Sequence, residues 1–129
     1  MIDFATLARP QTPNAYLLVS EGACGEAATD GPAPTFDADP DGVFAAAEAV
    51  ARGMDRVSEV ETDAGSRALS FTQRTELMRF KDDVDVRVVP DGTGAALMIY
   101  SRSRVGQSDL GANEKRVTAF VGAVRERLA

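Results

Sequence analysis

The alternation between Asp83 and Tyr100 constrains this chain more than any other feature. Val84, Val86 and Val88 stand between Asp83, Asp85 and Arg87. After the turn Pro90-Asp91-Gly92-Thr93-Gly94, Leu97 and Ile99 alternate with Met98 and Tyr100. Successive side chains of a strand leave opposite faces, so a period of two marks a strand with one buried face. A glycine-rich turn between two such strands predicts an antiparallel hairpin. If both apolar rows share the buried face, Val86 lies opposite Ile99 and Val88 opposite Leu97. Asp83 then falls opposite Arg102, and Asp85 opposite Tyr100. A one-residue slip would mix the rows and bury charge.

The same period runs from Arg67 to Phe80, with Leu69, Phe71, Thr75 and Leu77 on one face and Ser70, Thr72, Arg74 and Glu76 on the other. Gln73 is the one polar residue in the apolar row. Val57 to Thr62 is a weaker strand, closed by Asp63-Ala64-Gly65-Ser66. Two helices flank the strands. Asp39 caps the first and Pro40 occupies a position where its missing N–H costs nothing. Val43, Ala47, Val50 and Met54 then share one helical face. Ser108 or Asp109 caps the last helix, with Asn113 a rival start. Leu110, Val117, Val121, Val124 and Leu128 form its apolar stripe, beside Phe120. Arg125 and Arg127 suit the negative end of its dipole.

The N-terminal third is punctuated by Pro10, Pro13, Pro32 and Pro34 and by Gly22, Gly25 and Gly31, which break helices and most strands. Its apolar groups, Leu7, Tyr16, Leu17, Leu18, Val19 and Phe36, are too many to leave in water, so it reads as an extended wrap rather than disorder. Tyr16-Leu17-Leu18-Val19 is a short strand or an apolar anchor on the core. The order predicts an α+β domain over 1–129: an antiparallel sheet of about four or five strands, two helices packed on one face, and an extended N-terminal wrap over 1–38 ahead of a core over 39–129.

Composition narrows function mostly by exclusion. The 129 residues carry a net charge of −6, which argues against non-specific nucleic-acid or anionic-membrane binding. With no histidine, the commonest general base and metal ligand are missing. A single cysteine excludes an internal disulfide and every multi-cysteine zinc site. No apolar run reaches the roughly 18 residues needed to span a bilayer. Met1-Ile2-Asp3-Phe4 lacks the charged and apolar regions of a signal peptide. The expected compartment is therefore the cytoplasm by default, or the envelope if an anchor belongs to the chain. No cofactor or metal is implied.

The densest polar text is Arg79-Phe80-Lys81-Asp82-Asp83, followed by the string from Ser101-Arg102-Ser103-Arg104 through Val105-Gly106-Gln107-Ser108-Asp109-Leu110-Gly111-Ala112-Asn113 to Arg116-Val117. With Asp3-Phe4-Ala5 and Pro13-Asn14, these residues resemble the domain of unknown function 1499 family, in its bacterial branch, over nearly the whole chain. That family has an Arg-Phe-x-Asp-Asp-like step and the same serine-arginine string. The resemblance implies an uncharacterised protein of that family and brings no mechanism, because the family has no established activity; a soluble, acidic chain is what the net charge and the lack of a long apolar run predict.

The string also has a physical reading. Arg102 and Arg104, two apart on a strand, leave the same face. Ser108 and Asp109 sit at a helix start, where free N–H groups and the dipole favour an anion. The expectation is a non-catalytic binding or scaffold domain for an anionic small molecule. Its candidate contacts are Arg79, Asp82, Asp83, Arg102, Arg104, Ser108, Asp109, Asn113 and Arg116. The competing account has Arg102 and Arg104 paired with Asp82, Asp83 or Asp85, and Ser108 and Asp109 only capping the helix.

A rival class is a hydrolase using the Asp82-Asp83-Asp85 cluster, since Asp83 and Asp85 lie roughly 7 Å apart on one strand face. Asp37, Asp39, Asp41 and Glu48 match the spacing of a calcium loop. Pro40, however, pushes Asp39 towards extended geometry and no helix can enter through Gly31-Pro32-Ala33-Pro34; a capped helix start on an acidic chain accounts for the same residues. Cys24 has no histidine to activate it and reads as an incidental thiol. Tyr16, Tyr100 and the six phenylalanines form no basic–aromatic platform for single-stranded nucleic acid.

Overall fold

The structure, a computed structural model, describes residues 1–9, 14–25, 27–106 and 109–129. Pro10, Pro13, Gln107 and Ser108, which enter the sequence reading, lie outside them. Its centre is the meander that the alternating residues dictate: β5 (Ala68–Arg74), β6 (Lys81–Asp91) and β7 (Gly94–Ser103), all antiparallel. Val86 faces Ile99, Val88 faces Leu97, Asp83 faces Arg102 and Asp85 faces Tyr100, the register expected from burying the valine row. β4 (Val57–Asp63) adds outside β5, with a register shift between Ser58 and Glu61.

The far edge of β7 is shared by two pieces of the N-terminal third. β1 (Ala15–Val19) runs antiparallel along residues 99–102, and β3 (Thr35–Phe36) along residues 95–96. β2 (Gly31–Pro32) lies parallel to β1 at the extreme edge. Along the main path the order is β2-β1-β7-β6-β5-β4, with β3 on β7, so seven strands form a mixed sheet. The expected four or five antiparallel strands undercount it for a definite reason. Two-residue strands have no period to read, and Pro32 is tolerated in β2 because that strand lies at the extreme edge. Gly94 is needed where β7 begins, because a Cβ there would overlap the Phe36 carbonyl oxygen of β3.

Both helices cover one face. α1 (Pro40–Gly53) starts on Asp39, whose carboxylate accepts the Asp41 N–H at 3.1 Å. α2 (Ala112–Leu128) packs against α1 and the sheet, and Phe120 stacks on Phe71 with ring centroids 5.8 Å apart. Val43, Leu69, Val84, Ile99, Val117 and Val124 are completely or almost completely shielded in this core. On the other face the wrap buries Phe4, Leu17, Val19 and Cys24 against Ala96, Met98 and Tyr100. Beyond this second, smaller core that face is polar along β5 and β6, with Thr72 and Asp85 buried there.

Two leucines fall elsewhere than their patterns suggest. β5 ends at Arg74, and the chain turns through Thr75–Phe80, closed by the Thr75 N–H on the Phe80 carbonyl at 2.8 Å and the Phe80 N–H on the Thr75 hydroxyl at 3.0 Å. Leu77 is therefore a loop-tip residue, 89 % exposed, and not part of a buried row. Leu110 precedes α2 with φ of 53° and is also 89 % exposed, so it leaves the apolar stripe of that helix. In both cases the period stops before the pattern does.

Candidate functional site

Strand alternation divides the Asp82-Asp83 step between the two faces of the sheet. Asp82 stands opposite Gln73 and Ser103 on the helix side, and Asp83 stands opposite Thr72 and Arg102 on the other. What surrounds each carboxylate differs accordingly.

On the helix side Asp82 is 1 % exposed and is held by Arg116 of α2, whose Nη2 donates to its Oδ2 at 2.7 Å. Arg116 uses every nitrogen: Nε donates to Gln73 Oε1 at 2.5 Å, and Nη1 donates to Asn113 Oδ1 at 2.8 Å and Ser101 Oγ at 3.1 Å. The polar residue interrupting the β5 apolar row is thus the acceptor that seats this arginine. Gln73 in turn donates from Nε2 to the Asp55 carbonyl at 2.9 Å. Asn113, fully buried in the first turn of α2, accepts the Ser101 hydroxyl at 2.6 Å. Its Nδ2 donates to Asp109 Oδ2 at 2.6 Å and to the Asn14 carbonyl and Ser103 Oγ at 3.0 Å each. Asp109 also accepts the N–H groups of Gly111 and Asn113, at 2.8 and 3.1 Å, and so caps α2 from outside its first residue. Buried charges at this density persist only when their partners are complete. Here one atom lacks a partner: Asp82 Oδ1 is buried and accepts no hydrogen bond among the described residues.

On the opposite face the pairs are wetter. Arg104 forks onto Asp83, Nε to Oδ2 and Nη2 to Oδ1, both at 2.8 Å, and the Thr72 hydroxyl donates to Oδ1 at 3.1 Å. The Arg104 hydrogen bonds hold the Asp83 carboxyl below its ordinary range against an opposing desolvation, and Asp83 raises the Arg104 guanidinium further. Arg102 pairs with Asp85 at 2.7 Å and lies over the Tyr100 ring, 4.8 Å from its centroid. Asp85 also accepts the Ile2 N–H at 3.1 Å. These residues border a polar groove of about 310 Å³ with Glu59 and Glu61 on its rim.

The candidate residues therefore do not form one corner. Asp82, Asp109, Asn113 and Arg116 come together beneath α2. Asp83, Arg102 and Arg104 gather on the far face with Asp85, and Arg79 is exposed in the Thr75–Phe80 loop. Ser108 lies outside the described residues. Asp82 faces away from Asp83 and Asp85, and each carboxylate engages its own arginine, so the three do not converge on one reacting atom. In the calcium-like segment Asp39 caps α1, Asp41 pairs with Arg67 at 2.7 Å and Glu48 pairs with Arg52 at 2.8 Å. Cys24 is buried, its thiol turned to the Ala27 carbonyl at 3.4 Å.

What sequence reasoning missed is an apolar cleft. The Thr75–Phe80 loop forms one lip, with Leu77, Met78 and Phe80, and Val105 and Leu110 form the other. All five are large and exposed. They surround a cavity of about 280 Å³ whose polar lining includes Asp82, Ser103 and Asp109. The signal was present as Leu77-Met78-x-Phe80 and Val105, apolar residues clustered at strand ends. Reading Leu77 and Leu110 as core concealed it.

Among the described residues no helix is long and apolar enough to cross a membrane. No curated protein matches the chain significantly. The family model described as protein of unknown function (DUF1499) matches residues 8–124, a span that takes in both lips of the cleft, the Asp82–Arg116 pair and the Arg102–Asp85 and Arg104–Asp83 pairs, and by that match the chain belongs to the DUF1499 family.

Proposed function

We propose that this protein is a non-catalytic binding domain and that its site is the apolar cleft between the Thr75–Phe80 loop and the start of α2. The observation that carries this reading is Asp82, whose buried Oδ1 has no partner among the described residues and which belongs to the lining of a cavity whose lips are exposed apolar side chains. Leaving such an acceptor unpaired costs about 1–3 kcal/mol, which a ligand donor can recover. Exposed apolar clusters around a concave surface are the usual mark of recognition in a folded domain. The anion expected at Arg102 and Arg104 is less well served, since both guanidiniums are neutralised by Asp85 and Asp83. Hydrolysis by paired carboxylates finds no support either, because Asp83 and Asp85, which share a face, are each engaged by an arginine, and Asp82 lies on the opposite face.

Titration with the neutral solvatochromic dye Nile red tests this reading. Emission should rise saturably with one site per chain, and Leu77→Asp combined with Leu110→Asp should abolish it while the melting temperature stays constant. Undiminished dye binding by that double variant would refute the site.

A further inference from the structure

We infer that the cleft selects a small amphiphile with a cationic head, a protonated primary amine on an apolar body. The inference rests on the binding reading above and specifies its ligand. Three observations lead to it. First, the unpartnered group is a carboxylate oxygen, which only accepts, so its partner must donate. Second, the resident cation does not serve it, because Arg116 bonds Asp82 through Oδ2 and directs its other nitrogens to Gln73, Ser101 and Asn113. Third, the charges in the lining do not cancel. Asp82 and Asp109 both line the cleft, and among the described residues Arg116 is the one cation bonded to either of them. Among the described residues Asp109 is compensated by backbone and amide N–H groups. Glu76 and Arg79 of the lip loop offset each other and neither lines the cleft. A carboxylate head would meet two carboxylates, an alcohol would satisfy Oδ1 alone, and an ammonium would satisfy Oδ1 and the charge together.

Size points to a free small molecule. About 280 Å³ is at the lower end for small-molecule sites, enough for a short alkyl or single-ring body between Met78, Phe80 and Val105.

The test compares three probes of one body, hexylamine, 1-hexanol and hexanoate, by calorimetry and amide chemical-shift titration of the intact chain at neutral pH. Hexylamine should bind at least tenfold more tightly than 1-hexanol, with hexanoate weakest, the shifts centring on Asp82, Ser103 and Asp109. Asp82→Asn should erase the preference for the amine. Because that change also disturbs Arg116, the exposed lip supplies a second pair of variants. Glu76→Lys should weaken hexylamine at least threefold and Arg79→Glu should strengthen it, with 1-hexanol following neither, since both residues are exposed and outside the cleft lining. Equal affinity for the three probes overturns the head-group inference and leaves the cleft reading intact. Nile red binding with no binding of hexylamine does the same. Absence of both dye and probe binding removes the two readings together. Protection of Leu77 and Leu110 in a dimer, or binding to neutral phospholipid vesicles without binding of the free amine, also overturns the inference, by giving the cleft a different occupant.

Discussion

Asp82 and Asp83 are neighbours in the chain, each bound to an arginine at a similar distance, yet their circumstances have almost nothing in common. Asp82 and Arg116 lie beneath α2, 1 % and 7 % exposed at their side chains, whereas Asp83 and Arg104 are 28 % and 44 % exposed. Coulomb attraction between unit charges varies severalfold with the effective dielectric, and so does the cost of leaving one charge alone. Contact distance therefore says little about what a pair contributes. The face on which strand alternation deposits it decides.

The largest expected effect breaks the buried member. Arg116→Met should destabilise the fold by about 3–5 kcal/mol in urea denaturation, since Asp82 would remain buried and unpaired. Asn113→Ala removes the hub that joins Ser101, Arg116, Asp109 and the Asn14 carbonyl, and about 2–3 kcal/mol should be lost. Arg102→Ala stands between the two extremes, because Asp85 is shielded but keeps the Ile2 N–H; about 1 kcal/mol is expected. Arg104→Ala should give the smallest change of the series, smaller still at high salt, as exposed pairs do. A loss as large as that of Arg116→Met would contradict the comparison.

Acid sharpens the same contrast. Asp83 is held below its ordinary value of about 3.9 by the Arg104 hydrogen bonds. A carboxylate lowered in the folded state adds stability that is complete above its unfolded pKa and is lost as pH falls through the lowered value. Melting temperature plotted against pH should therefore fall less steeply below about pH 4 in Asp83→Asn than in the unaltered protein, while the two coincide in slope near neutrality.

How far the residues alone announced this arrangement depends on how each signal is written. The β6–β7 register was legible because burying charge makes a slip costly, and both helices were legible from caps and apolar spacing. The edge strands were not, since a pair of residues such as Thr35-Phe36 gains its strand character from β7 and from nothing local. Of the site, Asp82, Asp109, Asn113 and Arg116 stood out as unusual polar text. Their separation from Arg102 and Arg104 follows from alternation once Ser101 and Ser103 are seen to face Asn113. The cleft stayed hidden because a leucine at the correct spacing looks the same whether its period continues or stops. Only the loop-closing bonds of Thr75 and the positive φ of Leu110 reveal that it stops.

The tandem seating of β1 and β3 along β7 has a consequence for how this protein fails. The ten-residue β7 owes one whole flank to chain that precedes α1, and no helix can replace those bonds. Peeling that sash away would bare a ladder of unmatched amides and carbonyls on an otherwise intact body, an adhesive seam inviting the strand of another copy. Premature proteolysis or local fraying ahead of Asp39 should thus produce aggregates built from nearly native molecules long before the main core melts.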